Sequence, residues 1–404
     1  MTINLETPKK FKLLREQAHQ VATEVLRPIS RKYDRAEHEY PKELDMLAAL
    51  IDGMNDSGQT SGAGASGVRS SGASEDGGNR NGSNMSSVLG VMETCWGDTG
   101  LVLSMPRQGL GNSAIAAVAD DEQSKRYEGK WAAMAITEPE AGSDSAAIRT
   151  TAKLDGDHYV LNGEKIYVTA GERADLVVVW ASLDPSLGRA AIKSFVVDRS
   201  NPGLILDRLE HKLGIRASDT AAFRLENCRV PKEDLLGTAD IDTKKSFAGV
   251  MKTFDNTRPL VAAMGVGIAK ACLDLTREKL AEAGVEVDYD RPAPSQSAAA
   301  ATFLELESDA ESAELLMMEA AWMADNSKPN SVQASMSKAK AGRTCVDIAL
   351  RCIELCGTVG YSESDLLEKW ARDAKIIDIF EGTQQIQQLI IARQLLGRTS
   401  AELK

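Results

Sequence analysis

Apolar residues recur every three or four positions over two long tracts of this chain, and every second position over a shorter tract between them. In residues 7–50, Phe11, Leu14, Ala18 and Val21 keep helical spacing among Lys, Arg and Glu. Residues 53–87 break the pattern, being mostly Gly, Ser, Asn and Asp with scarcely an aliphatic side chain. Such a stretch cannot offset its ordering entropy by burial, which predicts a mobile loop. Helical patterning returns at Val88 and holds to about Ala133. Then Thr151-Ala152-Lys153-Leu154 runs through Asp155-Gly156 into His158-Tyr159-Val160-Leu161, and through Asn162-Gly163 into Lys165-Ile166-Tyr167-Val168-Thr169. Alternation punctuated by Asp-Gly and Asn-Gly predicts hairpins. Further short strands are expected at 176–180, 194–197 and 222–225.

Beyond Asp240 the helical period resumes. Phe247, Val250, Met251, Phe254, Val261 and Met264 mark one long helix, with Pro259 as an expected kink. Phe303, Leu306, Ala310, Ala313, Met317, Ala320 and Met323 mark a bundle helix. Another is expected over 332–355, closed by Gly357, and a last one over 383–396. The expected class is α+β in three parts: an N-terminal helical domain (1–133, with the loop 53–87), a middle antiparallel β domain (134–240) and a C-terminal helical bundle (241–404).

Composition narrows the picture only a little. At 404 residues, 43% hydrophobic and 26% charged, the chain can bury more than one core. A formal charge of −12 argues against nucleic acid or an anionic membrane as the main partner. The start, Met1-Thr2-Ile3-Asn4-Leu5-Glu6, shows no signal-peptide pattern, and no uninterrupted apolar run approaches the ~20 residues of a bilayer span. The six cysteines form no C-x-x-C pair and no His lies near Cys352 and Cys356, so free thiols in a reducing cytoplasm are expected and no metal site.

Two motifs carry candidate chemistry. Near the end, residues 374–385 read A-K-I-I-D-I-F-E-G-T-Q-Q, with Glu381 held between the apolar Ile379 and Phe380 and a helix start. Burial there would raise its pKa and make it a serviceable proton acceptor. Far upstream stands Thr137-Glu138-Pro139-Glu140-Ala141-Gly142-Ser143-Asp144, whose small residues allow close backbone approach and whose hydroxyls can donate. Together with Tyr167-Val168-Thr169 and Asp255-Asn256-Thr257-Arg258, and in this order, these motifs resemble those of the acyl-CoA dehydrogenase family. The likeness runs over 134–265 and 353–397, and the expected C-terminal part is that family's four-helix bundle.

The resemblance implies an FAD enzyme that desaturates an acyl-CoA thioester between Cα and Cβ to the trans-2-enoyl-CoA and passes electrons to an electron-transfer flavoprotein. By that likeness Glu381 is the base, since the alternative family position on the long helix is occupied here by Thr257. Ile136, Thr137, Gly142, Ser143, Tyr167, Val168, Thr169, Thr383 and Gln385 would contact the flavin, with Thr169 reaching N5. Ser143, Asp255, Arg258 and Gly382 would contact the substrate, and Thr383 would cap the last helix. The backbone N–H of Glu381 and a ribityl hydroxyl would polarise the thioester carbonyl. An acyl-CoA oxidase and a non-catalytic scaffold subunit are the alternative readings.

Two family pieces that reach across a subunit interface to the neighbour's FAD are altered. Where an Arg-x-x-Phe-Gly segment is expected the chain reads E-A-G-V-E-V-D-Y-D-R-P (282–292), and where Gln-x-x-Gly-Gly is expected it reads Glu354-Leu355-Cys356-Gly357. A carboxylate near a dinucleotide is unfavourable. Either a paralogous subunit completes a hetero-oligomer with one FAD per unlike pair, or a homo-oligomer binds FAD through substitutes such as Arg291 or Gln296.

Overall fold

The computed structural model describes residues 7–56, 81–107, 109–241, 248–399 and 402, with backbone alone for 50–56 and 248–256. The N-terminal helices are α1 (Lys12–Val21), α2 (Arg27–Arg35), α3 (Glu43–Asp56), α4 (Ser83–Gly97), α5 (Thr99–Leu103), α6 (Leu110–Val118) and α7 (Asp121–Arg126). A π-helical turn, Ala22–Leu26, joins α1 to α2. Of the segment 53–87 expected as a loop, both described ends are helical, since α3 runs to Asp56 and α4 begins at Ser83; residues 57–80 lie outside the described residues. Asp325 anchors the α4 start, accepting from the backbone of Gly82, Asn84 and Met85 at 2.6, 2.9 and 3.0 Å. A tertiary contact thus supplies the helix start that the local sequence does not announce.

The middle part holds β1 (Ala132–Ala135), β2 (Thr151–Asp155), β3 (His158–Thr169), β4 (Leu176–Ser182), β5 (Ile192–Asp198), β6 (Leu204–Leu209) and β7 (Thr220–Pro231). They form one sheet of order β1-β4-β2-β3-β7-β6, with β5 on β4. It is mostly antiparallel, as expected, but β4 pairs in parallel with β1 and, through one pair, with β2. Asp155-Gly156 does open a hairpin, with Asp155 opposite His158. Asn162-Gly163 does not: β3 continues through it, and the pairing with β7 slips between Leu161 and Gly163. Gly163 holds φ 153°, and a Cβ there would lie 2.4 Å from Thr150 Oγ1. The glycine makes a bulge and a close approach rather than a turn. The strand β6 was not expected, since its burial does not alternate.

The C-terminal part comprises α8 (Ala248–Glu282), α9 (Ala298–Asp325), α10 (Ser331–Cys356), α11 (Thr358–Tyr361), α12 (Leu367–Ile377) and α13 (Gln384–Leu396). The helix α8 continues through Pro259, which is buried among its neighbours. Its stretch Thr257–Glu282 has the length and composition of a membrane span, but 72% of an apolar 18-residue window within it is buried inside the protein, as in a core helix. It packs closely on α4: a Cβ at Gly267 would meet the Met92 carbonyl at 2.4 Å.

The three parts are locked by a buried ion cluster. Lys369 Nζ lies 2.7 Å from Asp98 and 2.5 Å from Asp373, and all three side chains are at most 1% exposed. Asp98 caps α5 by accepting from Leu101 N–H, while Asp373 accepts from the backbone N–H of Ile215 in the β part. Lys369 therefore ties the third part to the first, and its partner Asp373 ties the third to the middle.

Candidate active site

The upstream motif leaves β1 as a tight turn. Glu138 N–H donates to the Ala141 carbonyl and Ala141 N–H to that of Glu138, at 3.2 and 3.1 Å. Ile136 and Thr137 are half-buried, whereas Gly142 and Ser143 are exposed, and a Cβ on Gly142 would meet nothing within 4 Å. The motif lies beside β3, because Ile166 N–H donates to the Thr137 carbonyl at 2.9 Å. There the β3–β7 register slips again, between Lys165 and Val168. Tyr167 takes φ 57° and is 62% exposed, while Val168 is buried and Thr169 half-buried. An outward aromatic on a strained residue next to a small-residue turn is a feature that tertiary structure must hold in place.

Two buried residues hold it, and motif reasoning passed over both. Lys165 is fully buried, with Nζ 2.7 Å from Glu138 Oε1 and 3.2 Å from the Ile136 carbonyl. Glu138 also accepts from Arg149 N–H and Thr150 N–H at 2.5 and 3.0 Å, and from the Thr150 hydroxyl. Burial pushes the Lys165 ammonium down to about 8 against the pull of Glu138. Burial works to raise the Glu138 carboxyl, but Lys165 and these donors outweigh it and hold it below its ordinary value. A signal existed: Tyr159, Leu161 and Lys165 share the inward parity of β3. Lys165→Met should leave Glu138 short of its cation and cost about 1–3 kcal/mol. Thermal melting would check it, and an unchanged melting curve would contradict it.

The second cluster forms around Glu381. Helix α12 ends at Ile377, and Glu381 and Gly382 follow with φ of 56° and 89° before the chain enters α13. The Thr257 hydroxyl of α8 donates to Glu381 Oε2 at 2.8 Å. The two positions that sequence comparison set against each other for the base thus lie side by side. Burial raises the carboxyl's proton affinity above its ordinary value, against the Thr257 hydrogen bond and the charges of Arg258 and Lys338. Arg258 is itself buried, and its charge reaches both Glu381 and Lys338. Thr383 caps α13, its hydroxyl accepting from Ile386 N–H at 3.4 Å. Gln385 is exposed at the start of that helix, beside the buried Gln384. The side chain of Asp255 lies outside the described residues.

The altered segments face outward. Glu354 is exposed near the end of α10, as are Glu282 at the end of α8 and Glu286 and Asp290 beyond it. Gln296 is spent on its own loop: it donates to the Asp288 and Arg291 carbonyls at 2.7 and 2.9 Å and accepts from Asp288 N–H at 2.9 Å. Arg291 donates to the Ser295 carbonyl at 2.8 Å. The six cysteines are unpaired, and all but Cys356 are buried. Among the described residues Glu37, His38 and His211 gather as potential metal ligands, but Glu37 already accepts from His211 and Arg216.

Comparison with known proteins gives this geometry a family. Profiles described as the N-terminal, middle and C-terminal domains of acyl-CoA dehydrogenase match residues 8–135, 133–228 and 247–396. A 3-(aryl)acrylate reductase of Clostridium sporogenes is 32% identical over 396 residues, covering 96% of this chain and 99% of the relative. The short-chain specific mitochondrial acyl-CoA dehydrogenase of Mus musculus is 32% identical over 403 residues, 97% and 92% of the two chains. Butyryl-CoA dehydrogenase from Megasphaera elsdenii superposes with a TM-score of 0.82 at 27% identity, covering 98% of this chain and 100% of that one. A chain from a structure of the electron transferring flavoprotein of Acidaminococcus fermentans gives 0.82 at 30%, again over 98% and 100%. With profiles matching nearly its whole length and relatives above 30% identity, the chain belongs to the acyl-CoA dehydrogenase family, oxidoreductases that act on CH–CH bonds.

Proposed function

We propose that this chain is an FAD-dependent acyl-CoA dehydrogenase whose base is Glu381. The observation that carries the reading is the Glu381 carboxyl, whose proton affinity burial raises and whose Oε2 Thr257 holds at 2.8 Å. A raised carboxyl is a better proton acceptor than a solvated one. The family is one of flavoproteins, and the open space before Gly142, the outward Tyr167 and the small residues of the turn suit a planar ring. Ile136, Thr137, Gly142, Ser143, Tyr167, Val168 and Thr169 would hold FAD from the β side, and Thr383 and Gln385 from the start of α13. When bound, FAD supplies the acceptor for the β-hydride.

The chain's own residues do the rest. Glu381 takes the α-proton on its carboxylate, leaving the electron pair to form the Cα–Cβ double bond as hydride departs from Cβ. Its backbone N–H would donate to the thioester carbonyl as enolate charge develops, an interaction that typically lowers such a barrier by about 3 kcal/mol. Ser143, Asp255, Arg258 and Gly382 would line the thioester arm, and electrons would leave to an electron-transfer flavoprotein, a partner in keeping with the Acidaminococcus likeness. The unpaired thiols support a reducing, cytoplasmic setting.

The exposed Glu354, the acidic segment after α8 and the occupied Gln296 favour a paralogous partner subunit that supplies the cationic grip on FAD. The expected result is that the chain purified alone is nearly colourless and that co-expression with a paralogue gives one FAD per unlike pair. A panel of acyl-CoAas with an artificial electron acceptor then tests the dehydrogenation. Stoichiometric FAD in the chain alone would end the partner reading; no reduction of flavin by any acyl-CoA in either preparation would end the functional one. Hydrogen peroxide released on substrate addition would identify an oxidase instead.

A further inference from the structure

Helix α10 carries a cation where its stripe calls for an apolar residue. Ala334, Ala341 and Cys345 mark its buried face at helical spacing, and Lys338 falls on that face, fully buried. Its ammonium donates at 2.6 Å to the carbonyl of Gly382. The same carbonyl receives the Gln387 side-chain amide of α13 at 3.0 Å, and that amide also lies 3.0 Å from the Glu381 carbonyl. Two donors from two helices therefore converge on two consecutive carbonyls, in the segment where Glu381 and Gly382 hold φ of 56° and 89°. A non-glycine residue at such φ costs about 1–2 kcal/mol and reverts unless its surroundings hold it. The approach is close: a Cβ on Gly382 would stand 2.5 Å from Gln387 Nε2, and a Cβ on Gly342 would stand 3.0 Å from the Ile377 carbonyl.

We propose that Lys338 is a positioning residue for the reaction: with Gln387 it clamps the Glu381–Gly382 backbone, aiming the carboxyl and the N–H of Glu381 at the same substrate, and its charge favours the ionised base. The proposal rests on the reading of Glu381 as the base. A buried ammonium that only filled space would leave an unsolvated charge; here one donor is spent on the one carbonyl that follows the base. Around Lys338 stand Glu381 and Asp378, which favour its charge, Arg258, which opposes it, and the Cys345 thiol, which burial pushes up to about 12 and so keeps neutral. Burial outweighs them and brings Lys338 down to about 8, so it is largely charged at neutral pH. Asp378 is in turn shared with Lys375 and Arg343. Around Glu381 stand Thr257 and Arg258 of α8 and Lys338 of α10.

The test compares Lys338→Met, Lys338→Arg, Gln387→Met and Glu381→Gln in the assembled, FAD-loaded protein. Lys338→Met is expected to lower kcat on the order of 100-fold, the scale of a displacement of about 1 Å, with KM changed less than about threefold. The acid limb of its kcat profile is expected at higher pH, because the carboxylate has lost a favourable charge, and Lys338→Arg should return the limb towards its original position. Gln387→Met, which keeps the cation, should lower kcat about tenfold with the limb unmoved. A Lys338→Met enzyme within about threefold of the parent kcat, with an unmoved limb, would overturn the clamp while an inactive Glu381→Gln left the base in place. If Lys338→Met does not fold, full activity in Gln387→Met overturns the clamp by itself. An active Glu381→Gln would remove the base, and with it both readings.

Discussion

Glu381→Gln is expected to lower kcat by roughly 10³–10⁴-fold, the upper range for removal of a general base, while FAD content and acyl-CoA binding change little. The amide keeps the shape and can still accept from the Thr257 hydroxyl, so the loss would lie in proton transfer alone. The same substitution should stabilise the fold near neutral pH. The folded carboxyl binds its proton more tightly than the ordinary value of 4.5, so the native state is favoured while the group is protonated. That contribution is complete below 4.5 and is lost as pH rises through the folded pKa. The amide cannot ionise, so its advantage over the parent should be absent below 4.5 and grow to a plateau above the folded carboxyl's raised pKa. Melting curves at several pH values would show it, and a variant equally or less stable at alkaline pH would contradict the raised carboxyl. Rate and stability are expected to move in opposite directions, as they do where a fold holds a group in an unfavourable state for use.

Lys369→Met should be the most damaging substitution remote from the chemistry. It removes the cation between Asp98 and Asp373, two carboxylates at most 1% exposed, and leaves both uncompensated. Breaking a buried pair in this way costs about 3–5 kcal/mol, a large part of a typical folding free energy. Burial already works to raise the Asp373 carboxyl against the pull of Lys369, and without the cation it should take up a proton nearer neutrality. Because Asp98 caps α5 and Asp373 holds the Ile215 N–H, the β part and the helices should loosen together. Denaturant unfolding followed by tryptophan fluorescence and by far-UV circular dichroism would register both losses at one lower midpoint. An unchanged midpoint would show that the cluster contributes nothing to the fold.

Several parts of the site were legible in the chain because their signals are local. The carboxylate that follows Ile379 and Phe380, the Thr383 cap and the small-residue turn at 141–143 each stand within a few residues of the features that identify them. Lys165 and Lys338 were not found by motif, yet each left a trace as a charge on the inward parity of a strand or the apolar stripe of a helix. Gln387 left none, since a glutamine in a run of glutamines has no distinctive neighbour. The hairpin expected at Asn162-Gly163 failed because the dipeptide licenses φ above zero without saying whether a turn or a bulge uses it. Packing of Thr150 and the pairing of β3 with β7 chose the bulge.

By itself the sequence determined the helical, strand and helical order and the family, and it singled out the residue proposed as the base, because periodicity and short motifs are properties of adjacent positions. Only the tertiary structure decided what surrounds that residue. It set Thr257 against the carboxyl from one helix and Lys338 and Gln387 against the following carbonyls from two others, 44 and 5 residues away from Gly382. The tertiary fold also chose which buried charges meet. The strength of an ion pair or a backbone clamp depends on distance and dielectric, and neither is written in the spacing of residues along a chain.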